Sequence, residues 1–290
     1  MSRVLVLTAA SDLSDAAAAS IARAAGAGSM RRLGAEAVET PLPDADPARV
    51  SAACAAAAEH GADANAVAAA GREKRVFLAD MDSTIIDVEC IDEIADFVGV
   101  KPQVAAITEA AMRGELDFEA ALRARVALLG GMETALLQAV YDQRVRLNAG
   151  ARILVRTMAA RGAATALVSG GFTFFSSRVA QAAGFAEHHA NTLEEAGGRL
   201  TGAVASPVLG REAKRARLCA LCAAQGIAPA AALAVGDGAN DLAMVAEAGL
   251  GVAYRAKPAL ADAADARIDH ADLTALLHLQ GVPRAEWSAA

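Results

Sequence analysis

Asp80 and Asp82 stand one residue apart where the apolar run Val76-Phe77-Leu78-Ala79 ends, and Ser83-Thr84 follows them. A buried strand accounts for the run but not for two carboxylates at its exit. In open α/β sheets the carboxyl ends of the strands form the crevice where ligands bind. Acids placed there suit holding a cation and attacking a substrate, whereas an unpaired charge in a core is costly. Two carboxylates in one site can divide labour, one ionised as nucleophile and the other moving a proton. The competing explanation is a turn or helix cap, which Asp and Ser also supply.

Three more clusters fall at strand ends or helix starts. Val168-Ser169-Gly170-Gly171 puts a hydroxyl and two glycines at a strand-to-helix turn, where backbone N–H groups can approach an anion. Lys214 lies near the start of a predicted helix over 212–225, where a cation gains nothing from the helix dipole. It is a surface lysine unless a phosphate sits nearby. Gly236-Asp237-Gly238-Ala239-Asn240-Asp241 adds two acids and an amide in a glycine-opened loop, oxygen ligands suited to a hard cation such as Mg²⁺ with phosphate. Four carboxylates at one sheet edge would repel one another without a cation. Cys219 and Cys222 match C-x-x-C, but they lie within that helix with no second pair to complete a zinc site, so they read as packing residues.

The elements that position these clusters follow from the apolar pattern. From residue 74 onward strands alternate with helices, which predicts an α/β fold with a doubly wound parallel sheet. Residues 87–147 read as wholly helical, broken at Gly99, Gly114 and Gly130-Gly131, a cap inserted after the first core strand. Residues 74–86 with 148–290 form the expected catalytic core, and residues 1–70 a small βαβα region in which 61–71 is helix and linker. Residues 185–190 and 199–205 are the predicted arms of a hairpin.

Bulk properties narrow the function classes. The 290 residues carry a formal charge of −7, which argues against general nucleic-acid binding. No stretch is long and apolar enough for a membrane span, and the amino terminus makes a poor secretion signal, so a cytoplasmic protein is expected. Four cysteines do not make a disulfide framework.

Taken together and in order, the four clusters resemble the motifs of the haloacid dehalogenase-like phosphatases. The insert, with Val88-Glu89-Cys90-Ile91-Asp92 and residues 111–126, is similar to the cap of that family's phosphoserine phosphatases. The resemblance implies Mg²⁺-dependent hydrolysis of O-phospho-L-serine, the last step of serine biosynthesis, through an aspartyl phosphate. It assigns Asp80 as nucleophile and Asp82 as general acid and base. Asp80, Asp237 and the Asp82 carbonyl would hold Mg²⁺, supported by Asp241. Ser169, Gly170, Lys214 and Asn240 would bind the phosphoryl group. Glu89 and Arg125 would take the substrate's ammonium and carboxylate, and Met112 and Phe118 would wall the pocket, or pack the cap core. Some bacterial relatives carry an amino-terminal ACT-like module of two βαβ halves. Residues 1–70 have room for one half, so a packing or homodimerisation role is expected of them. Competing functions are phosphoryl chemistry on another small monoester or homoserine, and a non-catalytic amino-acid sensor.

Overall fold

The computed structural model describes residues 2–43 and 46–289. Its amino-terminal unit runs β1 (Arg3–Ala9), α1 (Asp15–Ala24), β2 (Arg31–Gly34), β3 (Ala37–Leu42), α2 (Pro47–Glu59) and β4 (Ala62–Ala68). Ser14 caps α1 by accepting from the Ala17 amide, and Asp46 caps α2 through the Ala48 amide. The four strands form an antiparallel sheet in the order β2-β3-β1-β4.

Two expectations for this region are corrected. Residues 61–71 are not helix and linker, because β4 occupies most of them. Alanine favours helices, but here Ala62, Ala64 and Ala66 alternate with Asp63, Asn65 and Val67, which is the two-residue period of a strand. The region is therefore a whole βαββαβ unit rather than half of one. Both faces of its sheet are covered. Leu5 and Leu7 pack with α1 and α2, whereas Val6 and Val67 join the core of the rest of the molecule.

The core begins with β5 (Val76–Ala79). Four helices follow, α3 (Cys90–Phe97), α4 (Lys101–Met112), α5 (Phe118–Ala127) and α6 (Ala135–Arg144). The chain returns through α7 (Ala151–Ala160), β6 (Ala164–Phe172), α8 (Thr173–Ala183) and β7 (Glu187–Asn191). A hairpin of β8 (Leu193–Ala196) and β9 (Arg199–Val204) comes next, then α9 (Arg211–Ala224), β10 (Ala232–Gly236) and α10 (Leu242–Glu247). The fold closes with β11 (Leu250–Tyr254), α11 (Pro258–Ala261), β12 (Ala266–Ile268) and α12 (Ala275–Leu279). Six parallel strands lie in the order β12-β11-β10-β5-β6-β7, so the central pair β5 and β10 place Asp80 and Asp237 side by side. The β5 run is buried on both faces: Phe77 packs in one core, Val76 and Leu78 in the other.

The predicted hairpin is displaced by one element. Residues 187–191 pair in parallel with β6, and the hairpin's first arm is Leu193–Ala196, turning at Gly197-Gly198. That hairpin supports the cap, since the amides of Gly131 and Thr134 donate to the carbonyls of Leu200 and Gly198. At the cap's base, Asn148 Nδ2 donates to the carbonyls of Thr84 and Ile86, at 2.8 and 3.0 Å, clamping the entering strand to the returning one. Among the described residues, no helix is long and apolar enough to cross a membrane.

Candidate active site

Asp80 leaves β5 with its N–H donating to the Val235 carbonyl of β10 at 3.0 Å, so sheet pairing fixes its backbone. Its Oδ1 accepts from the Met81 amide at 2.7 Å and lies 2.7 Å from Lys214 Nζ. Its Oδ2 takes a 3.3 Å hydrogen bond from Asn240 Nδ2. The chain then makes a single wide turn, Met81–Ile85, with Ser83 at φ 55°. Asp80 and Asp82 both keep extended backbone, and the left-handed Ser83 turns the chain only after the second acid.

Asp82 Oδ1 accepts from the Cys90 amide at the start of α3 (2.9 Å), and Oδ2 from Ser169 Oγ (3.0 Å). Burial, then the charges of Glu89 and Asp80, push its carboxyl up to about 7. A group poised there can give and take a proton near neutrality. Ser169 is fully buried at the end of β6, and its Oγ also accepts from the Gly171 amide at 2.8 Å. Gly171 leaves room for the acid: a Cβ there would lie 2.7 Å from Asp82 Oδ2 and press on it.

Lys214 is 1% exposed, which disposes of the surface-lysine explanation. The first turn of α9 brings its Nζ to 2.7 Å from both Asp80 Oδ1 and Asp241 Oδ1. Burial alone would favour the neutral amine, but the two carboxylates outweigh it and raise its pKa well above the ordinary lysine value. Asp241 Oδ2 also accepts from the amides of Asp237 and Gly238, both at 3.2 Å. A Cβ at Gly236 would fall 2.3 Å from the Asp241 carboxyl carbon, so the loop closes only around glycine.

Asp80, Asp237 and Asp241 each offer an oxygen within 4.8 Å of the others, and all three are buried. Burial and the neighbouring Asp80 push Asp237 up to about 6 and Asp241 up to about 7. Three buried carboxylates beside one lysine make a set of hard oxygen donors short of positive charge, which fits a divalent cation. Asp241, expected only to support the metal ligands, stands as close to the cluster as the other two.

The cap closes a cavity of about 470 Å³ over these groups, lined among others by Glu89, Asp92, Met112, Phe118, Arg125 and Lys257. Glu89 opens to the cavity and accepts from Ser83 Oγ at 2.8 Å; desolvation, then Asp80, raises its carboxyl. Arg125 is half-buried on α5, its Nε turned to the Ala121 carbonyl at 3.3 Å. Met112 is 79% and Phe118 40% exposed, so both face the cavity instead of packing the cap core. Thr84 is fully buried, and its hydroxyl neither orients Asp82 nor caps the turn. Cys222 packs with Leu218 and Leu221 against the sheet, and both cysteines of the C-x-x-C are free thiols.

Three features of the site lie outside the four motifs: Asp92 and Lys257 in the cavity wall, and the bond from Ser83 to Glu89. Of these, Lys257 is legible in the sequence, because it follows the strand Leu250–Tyr254 just as Asp80 follows β5.

An open parallel sheet with acids, a buried lysine and a glycine-lined anion cradle at its strand ends defines a class of phosphoryl-transfer fold. The haloacid dehalogenase-like hydrolase family matches residues 77–246, and the chain belongs to it. Within that family, a protein of Polaromonas called phosphoserine phosphatase is 49% identical over 205 residues, 69% of this chain and 87% of its own. The solved structure of a probable phosphoserine phosphatase from Vibrio cholerae, in unliganded form, superposes with a TM-score of 0.82 at 32% identity, covering 98% of this chain and 88% of that one. A haloacid dehalogenase family hydrolase from Salmonella enterica serovar Typhi gives a TM-score of 0.85 at 28% identity, covering 96% and 98%. Both structures extend through the amino-terminal βαββαβ unit.

Proposed function

We propose that the chain is a phosphoserine phosphatase that hydrolyses O-phospho-L-serine to serine and phosphate. The observation that carries this reading is the cap's delivery of Glu89 and Arg125 into the same cavity as Asp80 and Asp82. A carboxylate and a guanidinium there match an ammonium and a carboxylate on one small substrate, and Arg pairs with carboxylate through two parallel hydrogen bonds.

In the proposed reaction, Asp80 Oδ2 attacks phosphorus and the P–O bond to serine breaks, leaving an aspartyl phosphate. Asp82, kept protonated by its buried setting, gives its proton to the departing serine oxygen. It then takes a proton from the water that attacks the phosphoenzyme, which releases inorganic phosphate and restores Asp80. Ser169 Oγ and the Cys90 amide hold Asp82 in place through both steps. The Gly170 backbone, Lys214 and Asn240 would surround the transferring group with donors. Asp80, Asp237 and Asp241 are the residues that would hold the cation, with Mg²⁺ the ion best suited to hard oxygen donors and phosphate. When bound, it neutralises charge on the phosphoryl oxygens.

The test is Mg²⁺-dependent phosphate release from phosphoserine and from a panel of small monoesters, by wild type, Asp80→Asn and Arg125→Ala. The expected result is a strong preference for phosphoserine, lost in Arg125→Ala, and no turnover by Asp80→Asn. Equal turnover of generic monoesters that survives Arg125→Ala would overturn the substrate assignment.

A further inference from the structure

We infer that Lys257 is an additional phosphate-binding residue of this site, one that leaves Asp237 to meet the incoming phosphoryl group. The inference rests on the phosphatase reading only in taking a phosphate monoester as the ligand.

Position comes first. β11 pairs in parallel with β10, so the chain leaving Tyr254 emerges beside the Asp237 loop. Arg255 then adopts φ 45°, unusual for a residue with a side chain, while its N–H donates to the Ile268 carbonyl at 2.8 Å. That bend returns the backbone to the crevice, where the Lys257 amide donates to the Asp237 carbonyl at 2.8 Å. The backbone of Lys257 is thus anchored on the loop that carries the acids, and its side chain is 66% exposed and lines the cavity.

The side chain has no structural task that would explain this anchoring. Its Nζ lies 3.7 Å from Asp237 Oδ2, longer than a hydrogen bond, and an exposed pair of that kind contributes little to stability.

Charge gives it a task. The cavity wall presents Asp80, Asp82, Glu89, Asp92 and Asp237 against Arg125 and Lys257. A phosphate monoester adds close to two more negative charges. Lys214 is buried and already shared between Asp80 and Asp241, and Arg125 sits on the cap. Lys257 is the cavity cation that combines a core anchor beside the acids with a long flexible stem. A compact ammonium on such a stem can follow a phosphate as it arrives and leaves. A cation held at Asp237 would weaken that carboxylate's pull on the ammonium, leaving Glu89 and an incoming phosphate as the anions it can meet across the cavity.

The experiment compares Lys257→Ala, Lys257→Gln and Lys257→Arg with wild type. It measures kcat and KM for phosphoserine, inhibition of aryl phosphate hydrolysis by inorganic phosphate, and calorimetric binding of inorganic phosphate. A lost charge-assisted contact corresponds to about a tenfold weakening. Ala and Gln are expected to weaken phosphate in both binding measurements by about that factor and to raise KM, with a flatter dependence of kcat/KM on ionic strength. Arg is expected to restore most of the loss. Unchanged phosphate binding in Ala and Gln would overturn the inference, as would a loss confined to kcat or to the half-saturating Mg²⁺ concentration. The inorganic phosphate readouts do not depend on which ester is the substrate. Failure of phosphoserine turnover in wild type therefore counts against the substrate assignment alone.

Discussion

At the scale of single residues, the site is a problem in carboxylate crowding. Asp80, Asp82, Asp237 and Asp241 are all buried, one lysine bridges only Asp80 and Asp241, and burial with mutual repulsion raises Asp82, Asp237 and Asp241. A divalent cation relieves that crowding in the folded state only, so Mg²⁺ is expected to raise the melting temperature. At 100 times its dissociation constant the gain is about 2.7 kcal/mol. Scanning calorimetry with and without Mg²⁺ checks this, and Asp237→Asn should largely abolish the shift. Ser83 makes a second prediction. Its hydroxyl is the hydrogen-bond partner of Glu89, and the left-handed backbone at Ser83 aims it there. Ser83→Ala should raise KM for phosphoserine roughly three- to tenfold, the net worth of one ordinary hydrogen bond, with a smaller effect on kcat. A fall in kcat at constant KM would place Ser83 in the chemistry instead.

At the scale of elements, strand ends do the positioning. β5, β6, β10 and β11 each deliver one segment to the same edge, and the first three were legible because apolar runs of strand length stop at Asp or Gly. The β6 exit shows how little slack the arrangement has. Gly171 has an ordinary backbone conformation, so alanine there costs nothing in φ, yet its Cβ would press on Asp82 Oδ2. Gly171→Ala should lower kcat by about 10²-fold, as expected of a shift of about 1 Å at a reacting group, while the far-ultraviolet spectrum and melting temperature change little. Steady-state kinetics beside thermal melts separates this from simple unfolding. β4 is hidden in the sequence for the opposite reason. Its alanines carry high helix propensity, and the alternation with Asp63 and Asn65 becomes decisive only once those polar side chains are seen to have partners.

At the scale of the whole molecule, the amino-terminal unit is joined to the core by polar contacts between distant segments. Asn65 exchanges two hydrogen bonds with the backbone of Arg267 in β12, at 2.8 and 2.7 Å. Asp63 accepts from the amides of Asp269, His270 and Ala271. Asp63→Ala would strand three amides at a partly buried seam. A loss of about 2–4 kcal/mol is expected in chemical denaturation, whereas Asp63→Asn, which keeps an acceptor, should lose less.

Glu36 and Glu39 close the same seam, Glu36 with His278 and Arg284, Glu39 with Arg72 and Arg31. Burial by itself would raise both carboxyls. The hydrogen bonds and charges they receive outweigh it, and both lie below the ordinary value of 4.5. A carboxyl lowered by folding adds stability above its unfolded pKa and loses it as pH falls through the folded one. Melting temperature should therefore drop on acidification below about pH 4.5, and Glu39→Gln should flatten that limb.

The sequence by itself determined the fold class, the cap insertion and the order of the four acid, glycine and lysine clusters. Those features are local: strand-length apolar runs, breaks at glycine, and residue types at known offsets. Tertiary structure decided which of those residues touch. Lys214 is buried between Asp80 and Asp241 because α9 packs against β5 and β6. Lys257 reaches the site because β11 lies beside β10 and Arg255 turns the chain back. β4 is a strand because β1 offers it a ladder and β12 offers partners for its polar face. Burial, charge crowding and hydrogen-bond partnership are properties of neighbours, and these neighbours lie far apart along the chain.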